Sequence, residues 1–370
     1  MNPHRIVIVG LGGMGNSHAS AVADEPGCVL VGGAEVDDGN AKSWSERHGV
    51  DAIYSSYETM FDALSPDIAI IATQAPMHHA PTIAAAKRGI HVFCEKPTAL
   101  NLQEADEMVA VCEENQVKFA INHIKRGSLY NQHTLSLIKE GAIGQLIRLR
   151  ACDKGGRRAG NSLMEMGTHL LDWIRLFAGD VEWAHAHLTQ LDGRESAASD
   201  IKNTREVHRF DRDAGLVLGE RCFATFRFRN GIHADVDFLS QPETDDGAYG
   251  IDLIGTEGRI ALRESVPTTM FIQEGQHQRP DNPWRRISLD GEDLDERGVA
   301  RSDEYRRVLL QQRMLHDFIR AIEEDRSPFA SGSDGRDCLE MIQMIWASHQ
   351  QRRRVYAPLR SRKHVLEEWV

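Results

Sequence analysis

The first third of the chain alternates short apolar runs with segments of helical spacing. Arg5-Ile6-Val7-Ile8-Val9 is a β-branched run of the kind a parallel strand buried on both faces requires. Asn16 to Asp24 can then form a helix, which Pro26-Gly27 ends. Further strands are predicted at 29–37 (VLVGGAEVD), 67–73 (DIAIIAT), 90–97 (IHVFCEKP) and 117–122 (VKFAIN), with helices at 78–89 and from Asn101 to about Asn115. This β-α alternation predicts a doubly wound parallel sheet, an α/β domain of Rossmann type, over residues 1–123.

After a helix at 128–140 the texture changes. Residues 144–153, 220–240 and 249–262 alternate apolar with polar positions, and Asn230-Gly231 and Glu257-Gly258 suit hairpin turns. Residues 124–370 are therefore expected to form an α+β domain with a mostly antiparallel open sheet, long polar loops at 192–215 and 274–303, and closing helices at 304–324 and 334–353. A chain of 370 residues also favours two domains over one core.

The loop after the first strand is glycine-rich: Gly10, Gly12, Gly13 and Gly15 surround Met14. Gly10 permits a sharp turn, Gly12 lets backbone approach a pyrophosphate, and Gly15 lets the next helix pack closely on the sheet. The helix N-terminus offers N–H groups and a positive dipole end to phosphates. Glu35, about 20 residues beyond the last glycine, stands where a carboxylate would accept the ribose hydroxyls, although an acid there can also be a helix cap. An acid with no arginine beside it favours NAD over NADP, whose 2′-phosphate would meet like charge. Gly10, Glu35, Thr73, Glu95 and Asn122 are all expected at strand carboxyl ends, where such sheets bind ligands.

Composition narrows the function classes. A net charge of −12 argues against a nucleic-acid partner. Six scattered cysteines without a CxxC pair suggest neither a zinc site nor a disulfide framework, and fit a reducing cytoplasm. No apolar run has the length of a membrane span. Because the strand–glycine motif starts within the first ten residues, no targeting segment is expected ahead of it.

Two sets of residues could carry chemistry. Lys96, at the end of the HVFC strand, could donate a proton or a hydrogen bond to a reacting oxygen, or be a surface lysine beside a turn proline. Glu165 and His169 are four apart, so on a helix they share a face. They are either a helix-surface pair or a carboxylate orienting an acid/base histidine. Asp172 extends that face, but hydride transfer calls for no metal, and none is expected.

Together GLGGMG (10–15), TQAPMH (73–78), EKP (95–97) and EMGTH (165–169), with the closing helical pair at 317–348, resemble the glucose–fructose oxidoreductase/inositol dehydrogenase (Gfo/Idh/MocA) family. The resemblance spans nearly the whole chain. It implies a nicotinamide-dependent oxidoreductase acting on a secondary alcohol of a sugar, cyclic polyol or glycoside. It implies that Lys96 contacts the reacting oxygen, that Lys96–Pro97 is cis, and that Thr73, Pro76 and His78 line the cofactor with Glu95 near the nicotinamide ribose. His169 would be the acid/base. Where the family commonly has Asp, this chain has Glu165, one methylene longer, which leaves its partner open among His169, Lys96 and a substrate hydroxyl. Asn122, Lys125, Arg157 and Arg158 are candidate substrate neighbours. Relatives often form dimers or tetramers, and the antiparallel sheet offers a face for a homo-oligomer. Some relatives return the hydride to the substrate, as NAD-recycling glycosidases do. That reading stays open, as does a silent NAD-binding regulator.

Overall fold

The computed structural model describes residues 3–153, 159–204, 214–239, 249–264, 269–275, 281–289, 299 and 302–369. The chain divides into two compact units, Met1–Gly127 with Arg307–Arg336, and Ser128–Arg306 with Asp337–Val370.

The first unit contains six strands, β1 His4–Val9, β2 Cys28–Ala34, β3 Ile53–Tyr54, β4 Ile68–Ile71, β5 His91–Cys94 and β6 Phe119–Ile121. Its helices up to residue 127 are α1 Gly13–Ala23, α2 Asp38–His48, α3 Tyr57–Leu64, α4 His79–Ala86 and α5 Leu102–Glu114. The strands lie in the order β3-β2-β1-β4-β5-β6, and every neighbouring pair is parallel. Strand order reverses between β1 and β4, the switch point at which open α/β sheets bind ligands. Ile6 to Val9 and Ile68 to Ile71 are buried throughout, as expected of strands covered on both faces. Asp37 and Ser56 cap α2 and α3 by accepting hydrogen bonds from the N–H groups of Asn40 and Thr59.

The second unit contains α6 Leu129–Lys139, β7 Leu146–Cys152, α7 Ala159–Glu165, α8 Gly167–Ala178, β8 Val181–Thr189, β9 Lys202–Asn203, β10 Leu216–Val217, β11 Arg221–Phe228 and β12 His233–Leu239. It continues with β13 Gly250–Gly255, β14 Gly258–Arg263, β15 Thr269–Glu274 and β16 Arg285–Ile287. After these come α9 Asp303–Glu323, α10 Gly332–Gln351 and β17 Val355–Tyr356. Among the described residues nine strands form one sheet in the order β16-β15-β14-β13-β7-β12-β11-β8-β17; β12 and β7 are parallel and the other pairs antiparallel. In β12, Ala234, Val236 and Phe238 are buried while His233, Asp235 and Asp237 keep part of their surface. The buried face is covered in part by α7 and α8. A Cβ at Gly167 would lie 2.8 Å from the Phe238 ring, so only glycine lets α8 start this close to β12.

Several features differ from the sequence expectation. The stretch 161–173 is not one helix: the chain turns at Met166, between α7 and α8. Strand β8 was not predicted. Part of the expected loop at 274–303 is strand β16. Most of α9 belongs to the first unit: Met314, Leu315, Phe318 and Ile319 join the core of Ile6, Ile8 and Phe93, with the Phe93 and Phe318 rings 5.5 Å apart. A contiguous boundary at residue 123 therefore misses the return of residues 307–336 to the first unit.

His364, in the second unit, is 3 % exposed. Its Nδ1 accepts a hydrogen bond from the Leu366 N–H at 3.3 Å, and its ring lies 5.2 Å from that of Trp346. Burial pushes its pKa down from 6.5 to about 4. The unfolded chain thus binds a proton near pH 6.5 that the folded chain refuses until about pH 4. The stability associated with a neutral His364 is complete above pH 6.5 and is lost as pH falls toward 4, by at most about 3 kcal/mol. Denaturant titrations between pH 7 and pH 4 should show this loss, and His364→Gln should flatten the slope; an equal slope in the variant would exclude His364 as its source.

Candidate functional site

The first unit brings a glycine loop and four strand ends together. Gly10 follows β1 with φ +90°, and a Cβ there would lie 2.9 Å from the backbone of Ala72 and Thr73 at the end of β4. A Cβ at Gly15 would lie 2.2 Å from the Gly10 carbonyl oxygen. These two positions admit only glycine for reasons internal to the fold. Gly12 and Gly13 are different, since a Cβ at either would meet nothing within 4 Å. Gly12 caps α1 without a side-chain hydrogen bond, and no acid stands in the first turn of the helix. Met14, half-buried, follows them. The loop therefore presents backbone amides and the positive end of a helix beside open space, which suits a pyrophosphate.

Glu35, the first residue after β2, turns its carboxylate to this loop. Oε2 accepts from the Leu11 N–H at 2.9 Å, and Oε1 accepts from the N–H groups of Val36 and Asp37 at 2.8 and 3.1 Å. The residues following it, Asp37 and Asp38, are acidic, so a 2′-phosphate would meet like charge. The open loop, the uncapped helix and the anchored acid together fit a dinucleotide of the NAD type.

Glu95 and Asn122 follow β5 and β6 directly and are almost fully buried. Glu95 Oε1 accepts from Asn122 Nδ2 at 2.7 Å and lies 2.8 Å from His18 Nε2, while Oε2 accepts from the Lys96 N–H at 3.2 Å. Burial by itself raises the Glu95 pKa. The hydrogen bond and charge of His18, the Asn122 donor and the Lys96 cation outweigh it and hold the carboxyl at about 2. Lys96 is half-buried, and its bond to Pro97 is cis.

Thr73 donates to the Met77 carbonyl at 3.2 Å across a short 3-10 turn, Ala75–Met77, that contains Pro76. His78 is 0 % exposed. Its Nδ1 lies 2.9 Å from the Pro97 carbonyl oxygen and its Nε2 3.0 Å from that of Thr73. Burial lowers its pKa, against the opposing effect of the two carbonyls. A neutral ring carries one N–H, so His78 donates to one of these carbonyls and packs against the other from inside the unit. His79, its neighbour, faces Glu107 at 3.0 Å. Lys125, in a short 3-10 segment after β6, is buried.

The second unit holds the other candidates. Glu165 is the last residue of α7 and is half-buried. His169 lies in the first turn of α8, 7 % exposed, its N–H donating to the Met166 carbonyl at 3.0 Å. Asp172 is fully buried one turn later. Arg157 and Arg158 lie outside the described residues. Among the described residues no three His, Cys, Asp or Glu side chains converge as metal ligands.

Sequence reasoning missed His18. The available signal was its place three residues after Gly15, on the face of α1 that packs inward.

The two kinds of glycine should separate on mutation. Gly12→Ala should leave folding stability within about 0.5 kcal/mol yet weaken NAD binding at least about tenfold in a calorimetric titration. Gly15→Ala should lower the melting temperature itself, because its Cβ would strike backbone. Equal NAD affinity in Gly12→Ala would remove the loop from the binding site.

Comparison with known proteins agrees with this geometry. Residues 4–123 match the Gfo/Idh/MocA oxidoreductase family's NAD-binding Rossmann fold, and residues 153–357 match its C-terminal alpha/beta domain. An uncharacterized oxidoreductase of Streptococcus pneumoniae is 36 % identical over 278 residues, 70 % of this chain and 73 % of its own. Myo-inositol 2-dehydrogenase of Thermotoga maritima is 24 % identical over 364 residues, 95 % of this chain and 98 % of its own. A solved levoglucosan dehydrogenase in complex with NADH and levoglucosan has the same fold, with a TM-score of 0.77 and 21 % identity over 96 % of this chain and 100 % of that one. With its glycine loop, its strand-end acids and both domain matches in order, the chain belongs to the Gfo/Idh/MocA family of NAD-binding oxidoreductases.

Proposed function

We propose that this NAD-dependent oxidoreductase interconverts a secondary alcohol and a ketone on a sugar, cyclic polyol or glycoside. The observation that carries the reading is the turn after β5, where a half-buried lysine adjoins a buried, ionised carboxylate in the unit that holds the open glycine loop. A bound NAD⁺ would supply the hydride acceptor for the substrate carbon. Gly12 to Gly15 would hold the pyrophosphate through backbone N–H groups, Glu35 would accept the adenosine ribose hydroxyls, and Thr73 and Pro76 would line the cofactor toward Lys96. The Lys96 Nζ donates to the reacting oxygen and stabilises the charge that grows there. The His169 imidazole takes the hydroxyl proton, and Glu165 orients it and supports its protonated form. In the reverse direction the same groups return the proton. Asn122, at the end of β6, and Lys125, in the segment after it, are the substrate neighbours of the first unit in this reading.

The carbohydrate class is supported by relatives named for myo-inositol and, through the fold, levoglucosan. Self-association is supported by the less buried face of the nine-stranded sheet, where Ile147 and Phe223 are exposed among the charged side chains of Arg148 and Asp235. Six free cysteines support a reducing, cytoplasmic setting. Among the described residues no helix is long and apolar enough to cross a membrane.

Lys96→Ala and His169→Ala should each lower kcat by about 10²–10⁴-fold while leaving the NAD dissociation constant within about threefold. Steady-state kinetics and calorimetry on the same preparations measure both. Unchanged kcat in either variant would take that residue out of the mechanism. A mass determined by light scattering that corresponds to a monomer would exclude the proposed self-association.

A further inference from the structure

The turn that carries Lys96 is held from two sides by histidines outside it. His18, 1 % exposed on α1, lies 2.8 Å through Nε2 from Glu95 Oε1, and its ring stands edge-on to Phe93 at 5.8 Å. Asn122 donates to the same carboxylate oxygen, and the Lys96 N–H donates to the other. His78 lies beneath the far side of the turn, with Nδ1 2.9 Å from the Pro97 carbonyl oxygen and Nε2 3.0 Å from that of Thr73. Lys96 therefore stands between a fixed side chain before it and a fixed carbonyl after it.

Stability alone does not call for this arrangement. A buried ion pair is often matched or exceeded by packed apolar residues of similar volume, whereas removing one partner of such a pair is costly. What the polar set adds is direction. Donors from α1, from the end of β6 and from the turn itself converge on Glu95, and they leave its carboxylate one placement. The residue so fixed is covalently next to the lysine. His78 fills the space between the Pro97 and Thr73 carbonyls, donates its one N–H to one of them, and so restricts the backbone on the other side. Neither ring has more than a trace of exposed surface with which to meet substrate.

We propose that His18 and His78 are positioning residues for Lys96: His18 fixes Glu95 before it, His78 fixes Pro97 after it, and the lysine is thereby held at the end of β5. The importance of that placement for turnover rests on the reading of Lys96 given above; the placement itself does not.

The test is competitive labelling of the unliganded full chain with acetic anhydride, reading acetylation of Lys96 against the exposed Lys42 by peptide mass spectrometry. His18→Leu and His78→Leu should each raise Lys96 labelling by about threefold or more. His18→Gln keeps a side-chain N–H donor and should stay within about twofold of the parent. In the two leucine variants kcat should fall by about ten- to a hundredfold with little change in KM for NAD, and His18→Gln should recover most of it. Unchanged Lys96 labelling in folded His18→Leu and His78→Leu would overturn the proposal. If His18→Leu does not fold, Asn122→Leu removes a donor to the same oxygen, and unchanged labelling there would count equally against it. Normal turnover in Lys96→Ala, together with raised labelling in the leucine variants, would end the catalytic reading of Lys96 while supporting the clamp.

Discussion

The first unit depends on one close approach of backbone to backbone. α1 comes so near to the end of β1 that a Cβ on Gly15 would stand 2.2 Å from the Gly10 carbonyl oxygen. No side chain fits in that gap, so the helix starts directly over the strand end. The same seating brings His18 over Phe93 and against Glu95. One steric constraint therefore sets both the open N-terminal end of α1 and the contact of His18 with Glu95, the neighbour of Lys96.

The order β3-β2-β1-β4-β5-β6 does the rest. With all strands parallel, each carboxyl end falls on the same edge, and Glu35, Thr73, Glu95 and Asn122 collect there from sequence positions far apart. Within this edge charge is handled in two ways. Glu35 keeps part of its surface and accepts from backbone N–H groups of Leu11, Val36 and Asp37. Glu95 is enclosed, and its charge is sustained by donors on neighbouring elements. The second unit is built on a different rule. Its sheet is almost wholly antiparallel, one face packed and the other lined by half-exposed polar residues such as Asp235 and Asp237, and it supplies the acid/base candidate from a helix rather than from a strand end.

Much of this was legible in the sequence where the pattern is dictated by burial. Ile6 to Val9 could only be a strand buried on two faces, and the glycines after it had a steric logic that the backbone obeys. Elements with little apolar signal were not legible: α2 buries only Trp44, and α3 only Met60 and Phe61. In β8 alanines and histidines mask an alternation that larger apolar residues would have made plain. Periodicity identified α9 as a helix but could not say which core it joins, because the partners of Phe318 are more than 200 positions away. His78 was legible as a member of the strand-end set, but its spacing carried no information on burial, and its ring proves to be enclosed between two carbonyls. Neighbourhood can be read from motif spacing; the direction of a side chain needs the packing around it.

The central claim is that the glycine loop and the lysine turn of the first unit serve oxidation of a polyhydroxy substrate. It is tested most directly by mixing purified protein with NAD⁺ and a panel of inositols, sugars, anhydrosugars and glycosides, and following absorbance at about 340 nm. The account predicts a sustained rise with at least one of them, stoichiometric with a ketone product found by mass spectrometry. Bound NAD with no rise, and with every member of the panel recovered unchanged or altered without oxidation, would contradict it.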